Sequence, residues 1–156
     1  MDEKKLLKYA VDYLSKYDSS KVNLVNVLKR KILRLKTTNY EKGKLINIIE
    51  SIIIKLEKNK FIDDNRYSST KILSLSNSGK SKNFIFNYLI KKGVNKTQIQ
   101  NNLNLMKQDN DDWELNSAKI FAKKKKLLEK KDSYEKNLAK MARAGFSYDI
   151  CKKILG

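Results

Sequence analysis

The chain reads as an all-α protein, and three observations carry that reading. Proline is absent and only five glycines occur in 156 residues, so the turn chemistry that sandwiches and barrels need is missing. Apolar residues recur at spacings of three and four nearly everywhere. One phrase is written twice: "IKKGVNKTQIQNNL" (90–103) returns as "MARAGFSYDICKKIL" (141–155). Self-similarity with a period near fifty predicts a repeat architecture, here three tandem three-helix repeats. Their expected boundaries are 1–60, 61–107 and 108–156.

Each element follows from its spacing. Leu6, Leu7, Ala10, Val11 and Leu14 predict the first helix. Val22, Val25, Leu28 and Ile32 predict the second, with Ser19 or Ser20 as its cap. "RLKTTNYEKG" (34–43) is the expected long loop. Leu45, Ile49, Ile52, Ile53 and Leu56 predict a third helix over 41–58. The pattern restarts at "DDNRYSSTKILSLS", whose acids suit a helix N-terminus, where the dipole is positive. Ser81 caps the next helix, with Phe84, Ile85, Tyr88 and Leu89 on one face. Asn95 caps the one after, with Ile99, Leu103 and Met106 inside. A second restart at "DDWELNSAKIFAKKK" leads to "SYEKNLAKMARAG" and "SYDICKKIL".

The twice-written phrase is the expected joint between the second and third helix of a unit. Leu89 matches Met141, Gly93 matches Gly145, Val94 matches Phe146, Asn95 matches Ser147, and Ile99 matches Cys151. Glycine belongs where the chain turns left-handed after a helix. An apolar residue then packs back, and a small polar residue caps the next helix. The first unit departs from this, with Ile32 where glycine would fall.

Net charge is +18, with +8 over residues 1–60, +6 over 61–107 and +4 over 108–156. A positive field spread over the whole chain favours a polyanion or an acidic protein surface. Lys80, Lys82, Lys91 and Lys92 in the middle unit, and Lys123, Lys124, Lys125, Lys126 and Arg143 in the third, are the candidate contacts. The run Lys123–Lys126 spans a helical turn, so one of its lysines is expected to face inward or snorkel.

Other chemistry finds little support. "SNSGKSK" lacks a phosphate loop's first glycine, the position being Ser74, and a helix precedes it instead of a strand. Asp63-Asp64 and Asp111-Asp112 sit at expected helix starts and read as caps. No histidine exists to complete a metal shell or act as a base. Cys151 aligns with an apolar core position, and Trp113 reads as a packing anchor. No catalytic, metal or cofactor site is expected, so the chain reads as a non-enzyme. "MDEKKLLKY" is no signal peptide, and "LINIIESIIIKL" is too short to span a bilayer, so the expected location is the cytoplasm.

"FIDDNRYSSTKILSLSNSGKSKNFIFNYLIKKGV" resembles the central segment of the RecX regulatory proteins: an acidic pair, an Arg-aromatic, a Gly-Lys joint, and a helix ending in Lys-Gly-Val. Here these are Asp63, Asp64, Arg66, Tyr67, Gly79, Lys80, Ile85, Leu89, Lys92, Gly93 and Val94. "MARAGFSYDICKKIL" resembles the family's closing phrase, and "AVDYLSKYDSSKVNLVNVLKRK" its first unit. The middle unit departs in using Lys and Asn where the family is arginine-rich. The resemblance implies a modular all-α monomer, an elongated right-handed array of three tandem three-helix repeats, that binds the RecA–single-stranded DNA filament. It would inhibit the recombinase's ATPase, strand-exchange and coprotease activities, and several members also bind DNA. The alternative is a sequence-independent DNA- or RNA-binding helical protein without a recombinase partner.

Overall fold

The computed structural model describes all residues, 1–156, and is entirely helical. Ten α-helices follow in order: α1 Glu3–Lys16, α2 Lys21–Leu33, α3 Asn39–Asn47, α4 Ile49–Lys58, α5 Asp64–Asn77, α6 Lys82–Lys91, α7 Lys96–Asp109, α8 Trp113–Lys124, α9 Tyr134–Arg143 and α10 Tyr148–Leu155. A single 3-10 turn, Leu127–Glu129, lies between α8 and α9.

Two of these differ from the sequence reading. The expected helix over 41–58 is two helices, and the expected long loop shrinks to residues 34–38. Thr38 explains the early start: its hydroxyl accepts the Glu41 N–H at 3.2 Å and caps α3 at Asn39. The break falls at Ile48, whose N–H reaches back only three residues to the Leu45 carbonyl. One tightened step interrupts the ladder while the apolar spacing runs through it.

The chain divides into two compact units. Met1–Tyr67 with Lys92–Val94 forms one, and Ser68–Lys91 with Asn95–Gly156 forms the other. In the first, Leu6, Leu24, Leu28, Ile32, Ile49, Ile52 and Ile62 build a continuous core. Val22, placed inside by its spacing, is instead 44% exposed, and Leu24 and Val27 take the buried positions. In the second unit Ala118, Ala122, Leu127, Met141, Phe146 and Cys151 form a core, with the Phe121 and Phe146 rings 5.5 Å apart. Trp113 is buried as an anchor at the start of α8.

Each unit holds one of the two sequence-aligned glycine joints, and both joints carry the same contacts. In the first unit Ser20 caps α2, accepting the Asn23 N–H at 3.1 Å, while its hydroxyl donates to the Lys92 carbonyl, the residue before Gly93. In the second unit Ser81 caps α6, accepting the Phe84 N–H at 3.0 Å, and donates to the Ala144 carbonyl, before Gly145, at 2.7 Å. A carboxylate completes each latch. Asp64 Oδ1 accepts the Lys21 N–H at 2.8 Å, and Glu114 Oε2 accepts the Lys82 N–H at 2.8 Å.

The glycines are required twice over. Gly93 and Gly145 have φ of +79° and +96°, which L side chains rarely adopt. A Cβ on Gly93 would lie 2.5 Å from Val22 Cβ, and one on Gly145 would lie 2.5 Å from Ser81 Oγ. Val22 and Asn83 hold the same position in the first turns of α2 and α6, and both press on the glycine. Val22 is therefore spent on the joint and not on the core.

The acid pairs need a correction. Asp63 caps its own helix, accepting the Asn65 and Arg66 N–H groups at 2.9 and 3.2 Å. Asp64 caps α2 instead. Neither Asp111 nor Asp112 caps α8 with its side chain; Asn110 Oδ1 accepts the Asp112 N–H, and the latching acid is Glu114.

Candidate partner-binding groove

The latch in the second unit fixes the first turn of α6 against the joint between α9 and α10. This sets Asn83, Phe84, Asn87, Tyr88 and Lys91 of α6 opposite Arg143, Ala144 and Gly145, lining a groove of about 280 Å³. Phe84 and Tyr88, one helical turn apart, stack with ring centroids 6.4 Å apart and planes tilted by 22°. Lys80 Nζ lies 4.7 Å from the Phe84 ring centroid, a cation over an aromatic face. Phe84 is 40% exposed.

No acid lines this groove. None of the protein's five ion pairs includes Lys80, Lys91 or Arg143. A wider cleft of about 550 Å³ adjoins it, sharing Asn83 and Gly145. Lys82, Phe86, Gln100, Asn101 and Asn104 line that cleft, along with Glu114, whose carboxylate is held by the latch.

The structure brings together four of the nine cations singled out from the sequence. Lys80, Lys91 and Arg143 surround the aromatic pair, and Lys82 lines the adjoining cleft. Lys92 belongs to the first unit, where its carbonyl serves the Ser20 latch. Lys123, Lys124, Lys125 and Lys126 lie elsewhere, at the end of α8. None of the four faces inward, because the helix ends within the run: Lys125 is its C-cap and Lys126 turns left-handed at φ 57°. Lys124 Nζ donates to the Ser78 carbonyl at 3.0 Å, at the end of α5.

The four residues expected on one face of α6 divide: Ile85 and Leu89 are buried, while Phe84 and Tyr88 line the groove. The signal that separates them was in the repeated phrase. Extended one turn back, the alignment sets Leu89 on Met141 and Ile85 on Asn137, both buried. It sets Phe84 on Lys136 and Tyr88 on Lys140, which are surface positions. Asn83, Asn87 and the amides of α7 carried no signal of their own.

Cys151 is buried in the core, where desolvation pushes its thiol pKa up, away from the thiolate. No group of three or more His, Cys, Asp or Glu side chains stands close enough to hold a metal. No helix is long and apolar enough to cross a membrane.

Fold and surface together define an all-α protein of short, latched helices with a basic, aromatic groove. Comparison with known proteins agrees with that class. The chain is 31% identical over 154 residues to the regulatory protein RecX of Myxococcus xanthus (strain DK1622), a match that covers 94% of this chain and 81% of that one. The crystal structure of RecX from Lactobacillus salivarius superposes with a TM-score of 0.70 at 24% identity, covering 97% of this chain and 93% of that one. A second crystal structure, of a regulatory protein RecX, has a TM-score of 0.70 at 22% identity, covering 96% and 70%. No protein-family model matches the chain. The chain belongs to the RecX family of regulatory proteins.

Proposed function

We propose that this protein binds the RecA–single-stranded DNA filament and inhibits its ATPase, strand-exchange and coprotease activities. The observation that carries the reading is the 31% identity to a RecX protein along nearly the whole chain. The groove of the second unit supplies a contact chemistry for it, with cations outside any ion pair around the stacked rings of Phe84 and Tyr88. Tyrosine and arginine, here Tyr88 and Arg143, are enriched among the residues that carry binding energy at protein interfaces. The protein acts as a cytoplasmic monomer, by binding and not by catalysis. Its three repeats, 1–60, 61–107 and 108–156, each make a modest contact, and linkage raises their effective concentration on a filament of many identical subunits.

The test is RecA ATPase and strand exchange on single-stranded DNA with substoichiometric protein added. Wild type should inhibit both, and Lys91→Glu with Arg143→Glu should weaken inhibition by about tenfold or more in half-maximal concentration. Tight binding to naked DNA without any inhibition would overturn the reading in favour of a DNA- or RNA-binding protein with no recombinase partner.

A further inference from the structure

Two exposed features of the second unit are complementary in polarity and charge, and the contact groove of the regulator reading includes neither. The first is an apolar groove of about 190 Å³ between α5 and α7. Ile72, Leu73, Leu105 and Met106 line it, with Leu73 and Leu105 56% and 57% exposed. Its only charged lining residue is Asp109. Asp111 and Asp112 follow in the α7–α8 joint, so that four of the chain's seventeen acids fall within residues 109–114.

The second feature is the turn between α8 and α9. Left-handed residues Lys126 and Lys130 bracket the 3-10 turn Leu127–Glu129. Leu127 is buried, and its carbonyl accepts the Asn137 Nδ2–H at 3.2 Å, which anchors the turn. Leu128 is 55% exposed, with Lys125, Lys126 and Lys130 beside it in the chain. None of the five ion pairs includes these three lysines, Asp109, Asp111 or Asp112.

We infer that the α5–α7 groove is a docking site for a second copy of this chain, entered by that copy's Leu128 with its flanking lysines against the acidic α7–α8 corner. The contact takes Leu73, Leu105 and Leu128 out of water together. Charge selects the place, because a lysine-rich turn is repelled by most of a surface of net +18 but is attracted to this corner. A polyanion fits poorly here, since Asp109 and its neighbours would repel it. Leu33 is also exposed among cations, but it lies in the last turn of α2 and not on a chain reversal. Turn and groove are different surfaces, so the contact is head-to-tail, and copies add in an open row. Net charge opposes this in dilute solution, where the protein stays monomeric. The row forms where copies are concentrated and salt screens the charge.

The experiment is disulfide trapping between Leu128→Cys and Leu105→Cys variants, mixed at about 100 μM each in about 150 mM salt with oxidised glutathione. The mixture should cross-link at least about tenfold faster than either variant alone, because docking raises the effective thiol concentration. A chain carrying both substitutions should give a ladder of covalent oligomers that runs past the dimer. Asp109→Lys in the Leu105→Cys chain should slow trapping about fivefold, and Lys126→Glu in the Leu128→Cys chain should recover part of that loss. Wild type, whose one thiol is buried, sets the background. Leu105 and Leu128 are both more than half exposed, so the variants should keep the wild-type melting curve, which serves as the folding control.

Equal trapping in the mixture and in the separate variants would overturn the inference. So would faster trapping of Leu105→Cys by Leu33→Cys than by Leu128→Cys. Cross-linking of the double variant that stops at the dimer would overturn the open row. No recombinase is present in these assays, so their failure would leave the regulator reading standing.

Discussion

Lys60 is a lysine doing a glycine's work. It ends α4 at φ 62°, with its N–H on the Glu57 carbonyl at 3.1 Å and the Phe61 N–H on the Leu56 carbonyl at 2.9 Å. That pair of bonds is the left-handed helix ending found after α9, where the Gly145 N–H donates to the Ala142 carbonyl and the Phe146 N–H to the Met141 carbonyl. Lys60→Gly should therefore stabilise the protein by about 0.5–1 kcal/mol, read from urea unfolding. Gly93 and Gly43 should respond to alanine in opposite directions. Gly43→Ala, in α3 with nothing within 4 Å of a new Cβ, should gain up to about 1 kcal/mol. Gly93→Ala should lose more than about 2 kcal/mol, from its positive φ and the contact with Val22. Val22→Ala in the same chain should recover part of that loss, since the clash involves both residues. Both joint glycines were legible in the sequence. What was not legible was the far side of the contact, because the residue pressing on Gly93 lies some seventy positions earlier with no distinguishing mark.

At the scale of elements, the latches show how helix ends are satisfied across the fold. A helix start leaves several N–H groups without intrahelical partners, and here a serine takes one and a distant carboxylate another. Ser81→Ala removes the α6 cap and the Ala144 carbonyl's partner together, and should cost about 1–2 kcal/mol by the same unfolding measurement. Asp64 adds a pH dependence. Burial raises its carboxyl pKa more than the bond from the Lys21 N–H and the charge of Lys21 lower it, with Glu57 and Asp63 nearby opposing ionisation too. A folded pKa above the unfolded one means the folded state holds the proton more tightly. The contribution to stability is thus present below the ordinary carboxylate value of 3.8 and is lost as pH rises through the folded pKa. Asp64→Asn keeps an acceptor for the Lys21 N–H and removes the titration. The difference in unfolding free energy, wild type minus Asp64→Asn, should fall as pH rises from about 3.5 to 6 and then level off. Helix existence was legible from apolar spacing. The split at Ile48 was not, because Leu45, Ile49 and Ile52 keep their spacing through it.

For the whole molecule, charge dominates. With a net +18 and only five ion pairs, self-repulsion opposes compaction. Melting temperature should rise as salt increases from about 10 mM to 150 mM, over which the screening length shrinks to about 8 Å. Circular dichroism melts in sodium chloride would check this. The all-α class and the family were legible from composition, spacing and a repeated phrase. The groove was legible only in part: lysine-rich stretches marked its cations, but clustering depends on which helix end meets which joint, and Lys123–Lys126 lie instead at the end of α8. The first unit consists of residues 1–67 and a clip of three residues at 92–94, with 24 residues of the other unit between them in the chain. A nascent chain cannot finish that unit when its last helix emerges. Ser20 and Val22 wait for Lys92 and Gly93 to be synthesised, so the N-terminal half stays unlatched while α5 and α6 are being made. The order of completion is written into the interleaving, and a fragment stopped at residue 67 should be measurably looser than one stopped at 94.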